Sequence, residues 1–196
     1  MNSKNLTLII ILVVIVLLGG CGCSGYNNMV QLDENVKGKF GNVQSEYQRR
    51  SDLIPNLVST VKGAANFETT TLTQVQEARS KATSIQINAD NLTPEKLEQF
   101  QQAQAQISSS LGRLIATAEN YPDLKANQNF QNLQAQLEGT ENRIKVSRND
   151  FNSSVQDYNS NIRRFPNGLY AGAFGFKQRP YFEADKGSET APKVTF

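Results

Sequence analysis

Apolar side chains recur along most of this chain at the three- and four-residue steps of an α-helix, and in one place they run together without a break. The unbroken run is Leu6–Leu18, inside a stretch from residue 5 to residue 32 that carries no charge. A helix needs about 20 mostly apolar residues to cross the hydrocarbon core, so Leu6–Leu18 extended through Cys23 makes a marginal span. The same stretch also has the form of a signal segment, an apolar region ending at small residues. Leu18-Gly19-Gly20-Cys21 has the order of a bacterial lipoprotein cleavage site, at which Cys21 would take the lipid. Both readings make residues 1–25 a single N-terminal membrane anchor and place the protein at the cell membrane. Few charges set the orientation, with Lys4 on one side and Lys37 and Lys39 on the other. The export that Cys21 implies favours a body outside the cytoplasm, while the charges alone also admit the topology with the N-terminus outside.

Beyond the anchor the pattern is periodic. Leu32, Val36, Phe40, Val43, Tyr47, Ile54, Leu57, Val58 and Val61 predict a first body helix over 26–62, stopped by Gly63. Pro55 lies inside it and predicts a kink near Arg50–Ser51. A second helix fits 68–85. The third starts at Thr93, an N-cap residue followed by Pro94 at the first helical position. Asn120-Tyr121-Pro122-Asp123 breaks the chain. A fourth helix then runs from Leu124 to Ile162 in heptad-like register. At 1.5 Å per residue the first and fourth helices are about 55 and 60 Å long. The expected fold is all-α: an antiparallel up-and-down bundle of four helices over 26–164.

Four crossings bring the chain back toward the bilayer. There the composition changes: residues 163–182 hold six aromatics, four basic residues and no acid. Glycines and prolines forbid a long helix. Aromatic and basic residues together suit a bilayer interface, which makes Phe165, Tyr170, Phe174, Phe176, Lys177 and Arg179 candidate membrane contacts. The other reading is that these aromatics fold back and cap the base of the bundle. Residues 165–196 thus form an aromatic and basic segment with a tail, and 183–196 is expected to be disordered.

Charge and composition narrow the chemistry. The net charge is +2, too weak a field to suggest nucleic acid. The chain has no histidine, and its two cysteines, Cys21 and Cys23, sit at the anchor. This removes the usual general base, the commonest metal ligand and any thiolate nucleophile in the body. No P-loop is present, and no cofactor or metal is implied. The expectation is a protein that is not an enzyme; one that was would depend on carboxylates, lysine, tyrosine or hydroxyls.

Three segments are similar to signatures of the LemA family of bacterial membrane proteins. They are Tyr47-Gln48-Arg49-Arg50-Ser51-Asp52-Leu53-Ile54-Pro55-Asn56 through Gly63, Glu119-Asn120-Tyr121-Pro122-Asp123-Leu124-Lys125-Ala126-Asn127, and Tyr158-Asn159 with Arg163, Phe165-Pro166 and Gly175-Phe176. The resemblance runs from about Tyr26 to Phe182. It implies an N-terminal anchor and a helical up-and-down body, and it supplies no catalytic residues. One departure is Phe67, where family members often have histidine. Arg49, Arg50, Asp52 and Asn56 form the candidate interaction site. Either Arg49 pairs with Asp52 while Arg50 or Asn56 satisfies carbonyls freed by Pro55, or the four line a groove for an acidic partner. The expected role is a membrane-tethered interaction or scaffold protein of the cell envelope, with the membrane, an unknown protein or a second copy as partner. A lipid-interacting module acting through 163–182 is the alternative.

Overall fold

The computed structural model describes residues 3–63 and 67–184, with side chains from Ser24 onward. Among the described residues the chain is helical and contains no strand. The helices are α1 (Ser3–Lys62), α2 (Thr69–Ser84), α3 (Pro94–Ala118), the single turn α4 (Pro122–Lys125) and α5 (Gln128–Arg163). Short 3₁₀ turns stand at Ala89–Asn91 and Asn167–Leu169. Among the described residues no helix is long and apolar enough to cross a membrane. The side chains of the apolar run and of Cys21 lie outside the described residues, as does the tail from residue 185.

Local chemistry explains the boundaries. α1 ends at Lys62, before Gly63. Thr93 caps α3, its hydroxyl oxygen accepting from Lys96 N–H at 3.3 Å, with Pro94 in the first turn. The fourth predicted helix is in fact two. Asn127 sits outside helical geometry, and its side-chain oxygen accepts from Asn129 and Phe130 N–H. It is an N-cap in its own right, so α5 starts there and Leu124 belongs to α4.

Pairings across the body give the helix directions. Lys39–Asp150, Glu46–Arg143 and Arg50–Glu141 rise in number on α1 as they fall on α5, so these two helices are antiparallel. Tyr47–Phe100 and Arg50–Gln104 rise together, so α3 runs parallel to α1. α2 packs chiefly on α3. Two hydrophobic clusters form the core. One gathers Met29, Phe40, Tyr47, Phe151, Tyr158 and Phe182. The other gathers Ile54, Leu57, Val75, Ile107, Leu114 and Leu137. Between them in the chain order of α1 lies a buried polar residue, Arg50. Phe67, the departure from the family pattern, is buried against Tyr121 with ring centroids 4.9 Å apart.

Pro55 does not interrupt α1. It has no N–H to offer the carbonyl one turn earlier, that of Ser51. The donor that replaces it comes from another helix: Arg79 Nε on α2 donates to Ser51 O at 2.9 Å. Neither Arg50 nor Asn56 supplies this bond; the Arg50 guanidinium is engaged elsewhere, and Asn56 is exposed. Arg79→Ala should cost about 1–3 kcal/mol, the penalty of a carbonyl left without its donor. In a Pro55→Ala background, which restores the helical N–H, the same substitution should cost markedly less. Urea titrations of the four chains give the comparison; equal costs in both backgrounds would mean Arg79 acts by packing alone.

Candidate functional site

The four candidate residues on α1, Arg49, Arg50, Asp52 and Asn56, do not face one place. Arg50 is 1% exposed. Its Nη1 donates to Glu141 Oε1 at 2.6 Å and to Ser108 Oγ at 2.8 Å. Its Nη2 donates to Gln104, at the backbone oxygen (3.2 Å) and at Oε1 (2.5 Å). The guanidinium also lies 5.1 Å from the Tyr47 ring centroid. It therefore ties α1 to α3 and α5 and is closed to an outside carboxylate. Arg50 Nε and the adjacent Ser51 Oγ are buried with no hydrogen-bond partner. Arg49, Asp52 and Asn56 are exposed and line a shallow groove with Gln44, Gln48 and Gln136. Asp52 accepts from Gln48 Nε2 at 2.8 Å, in place of the Arg49 pairing that the spacing suggests. A cleft of about 600 Å³ opens on another side of α1, lined by Gln44, Gln48, Gln86, Asn91, Phe100 and Gln104 and by no charged side chain. Its amides can exchange hydrogen bonds with neutral polar groups. Nothing in it ionises near neutral pH.

The second region is the end of the body where the chain returns from α5. After Arg163 it makes a 3₁₀ turn, and Gly175 (φ 84°) lets it reverse so that Phe176 N–H reaches Ala171 O at 3.0 Å. An extended strap follows. Asn159 and Asn152 each bridge to it twice, at Arg179 and Phe182. Gln101 and Arg148 donate to Glu183 O, so the chain is held through residue 183, where the sequence predicts the disordered tail to begin.

The candidate membrane contacts divide in two here. Phe176 packs against the core, and Tyr170 is half-buried with its hydroxyl 2.6 Å from Asn167 Oδ1. Arg179 turns inward, donating to Asp33 Oδ1 from Nε (3.1 Å) and Nη2 (2.8 Å) and to Ala89 O from Nη1 (2.7 Å). Phe182, buried, meets Phe151 at 5.2 Å. These residues cap the base. Phe165, Phe174 and Lys177 do not; they are exposed, as are Arg163 and Arg164. Sequence reasoning did not single out Leu169, which is 77% exposed on the 3₁₀ turn.

Beside the strap, Lys37 meets Asp33, Glu34 and Asp90 at 3.4, 2.8 and 3.0 Å. Hydrogen bonds to Glu34 and then Asp90 hold its ammonium above the ordinary lysine range. Burial pushes the Tyr158 phenol up, the Asp33 charge adds to this, and Arg179 opposes it. Both groups have raised values in the folded chain, so each keeps its proton where the unfolded chain has lost it. The sign follows: stability present below the ordinary values of 10.0 and 10.5 is lost as pH rises past them. Urea midpoints should therefore fall steadily above about pH 10. Tyr158→Phe should make that fall shallower, and an unchanged slope would clear Tyr158 of any part in it.

The profile of the LemA family matches residues 39–196. Magnetosome protein MamQ 2 of Paramagnetospirillum magneticum is 25% identical over 189 residues, covering 87% of this chain and 68% of its own. Magnetosome protein MamQ of Magnetospirillum gryphiswaldense is 26% identical over the same length and coverage. Protein LemA of Metamycoplasma hominis is 28% identical over 142 residues, covering 72% of this chain and 61% of its own.

Proposed function

The chain belongs to the LemA family, and from that premise we propose that it is a non-enzymatic, membrane-tethered interaction protein whose helical bundle stands outside the cytoplasm. The observation that carries this is α1. It runs without a break from Ser3 to Lys62, so the helix that begins with the apolar run Leu6–Leu18 is the same helix that organises the body. The body is thus continuous with whatever holds residues 6–18. A two-charge substitution, Leu12→Lys with Val14→Lys, should move the protein from the membrane fraction to the soluble fraction. Retention at the membrane after a high-salt wash, in a chain that also carries Arg163→Gln, Arg164→Gln and Lys177→Gln, would overturn the tether. Cys21→Ser separates its two forms: loss of a lipid mass marks a lipoprotein, and unchanged mass and retention mark a spanning helix.

The exposed groove at Arg49, Asp52 and Asn56 supports a protein partner or a second copy as the occupant of the body. A photocrosslinking residue at Asp52 in the full chain should give a discrete adduct that Arg49→Ala abolishes without loss of helicity. Adducts spread equally over control positions such as Val146 would sink the groove as the site. A lipid-interacting role has its own support in the exposed aromatics at the base. An enzyme working through carboxylates alone has less support, because the carboxylates that share a cleft, Asp33, Glu34 and Asp90, are already paired with Lys37 and Arg179.

A further inference from the structure

Large apolar side chains left in water need a reason. Six are exposed among the described residues, and four of them, Tyr26, Phe165, Leu169 and Phe174, belong to the same end of the body. Phe165 is 84% exposed and Phe174 59%. Tyr26 and Phe174 meet edge to face at 5.3 Å, and Phe174 meets Tyr170 at 5.9 Å, so the patch reaches from α1 to the C-terminal turn. The turn is pressed onto α1 at Gly25. A Cβ there would lie 2.2 Å from Tyr170 Oη and 2.6 Å from Asn167 Oδ1. Both atoms are side-chain ends packed directly on the glycine, so the turn is seated on the helix at that level.

That level decides the occupant. From Cys23, where the marginal span ends, to Gly25 the helix rises about 3 Å, so the patch starts within one turn of that span. The polar layer of a bilayer is about 5–8 Å deep on each side of its hydrocarbon. A body standing on that helix holds Phe165, Leu169 and Phe174 at the depth of the headgroups. Within the segment the charge has one sign: Arg163, Arg164 and Lys177 are exposed, no acid occurs between residues 163 and 182, and the neighbouring Asp33, Glu34 and Asp90 are paired with Lys37 and Arg179. Arg179, the remaining basic residue of the segment, is neutralised by Asp33.

We propose that residues 163–177 are a second membrane contact, in which Phe165, Leu169 and Phe174 enter the interfacial layer and Arg163, Arg164 and Lys177 bind anionic lipid headgroups. This rests on the tether proposed above. It adds that the body is held against the bilayer at two points and cannot swing freely about its anchor.

The chain has no tryptophan, so single-tryptophan reporters are clean. Phe165→Trp, Phe174→Trp and, as a control on the exposed flank of α5, Val146→Trp would be reconstituted as full chains into vesicles of brominated phosphatidylglycerol. Helicity is checked for each. Quenching of the first two should exceed that of the control at least twofold, with blue-shifted emission. Quenching equal to the control, in chains that still float with the vesicles, overturns the contact and leaves the tether standing. Chains that do not float overturn the tether and this contact with it. Replacing the lipid by brominated phosphatidylcholine, or adding Arg163→Gln, Arg164→Gln and Lys177→Gln, should reduce the quenching at least twofold. No reduction in either would overturn the anionic part.

Discussion

Arg50→Ala is expected to lower the stability of the body by about 3 kcal/mol, the upper end of the penalty for a buried acceptor left without its donor. The substitution empties a site that is 1% exposed and strands several groups at once. Gln104 Oε1 loses its donor while the Gln104 backbone oxygen keeps Ser108 Oγ, and Ser108 and Glu141 lose theirs. Glu141 is partly open to water and recovers solvation, so the lasting penalty sits on Gln104. Arg50→Lys should not rescue the loss, because a single ammonium cannot serve two helices through a planar fork. Arg50→Met combined with Gln104→Leu should recover most of it, since an apolar pair of similar volume leaves no buried acceptor unpaired. Urea denaturation of full chains in detergent, followed by circular dichroism, gives the ranking. Should Arg50→Ala cost less than about 1 kcal/mol, the size of one ordinary hydrogen bond, the network is not what joins α1, α3 and α5.

Phe151→Ala should cost a similar amount, about 3–5 kcal/mol for a fully buried aromatic cut back to alanine. Phe151 is shut from solvent and lies 5.6 Å from Phe40 on α1 and 5.2 Å from Phe182 on the strap. The ring therefore joins the α1–α5 pair to the returning chain. Phe182→Ala should cost less, since Arg148 and Asn152 still hold the strap by its backbone. A double-mutant cycle should give a Phe151–Phe182 coupling of about 0.5–1.5 kcal/mol, the worth of an edge-to-face pair. Strict additivity would show that the strap is held by its hydrogen bonds and not by this contact.

Much of the fold is legible in the chain because helices are set by near neighbours. The steps Leu97, Phe100, Ile107, Leu111, Leu114 define the buried stripe of α3, and Thr93-Pro94 defines its start. Gly63 marks the end of α1. The break before α5 was also legible, in Asn127, but the continuous apolar register of Leu124, Phe130, Leu133 and Leu137 outweighs one cap residue when read by periodicity alone. The candidate sites were less legible. Arg49 and Arg50 are adjacent and chemically identical, yet one is in water and the other is in the core. Successive residues on a helix point about 100° apart, and only the packing of α3 and α5 decides which direction is inside.

The sequence by itself determined that this is an all-helical body behind an apolar N-terminal segment, without histidine or cysteine chemistry, and of the LemA family. Those properties depend on composition, on period and on contiguous strings. Only the tertiary structure decided which partner each polar group meets. It gave the carbonyl orphaned by Pro55 to Arg79, closed Arg50 against Gln104 and Glu141, and divided the aromatic segment into Phe176 and Phe182, which seal the core, and Phe165 and Phe174, which do not. The physical reason is range. Helix formation and its signals act over about four residues, whereas these pairings join groups far apart in the chain and are fixed only when the helices dock.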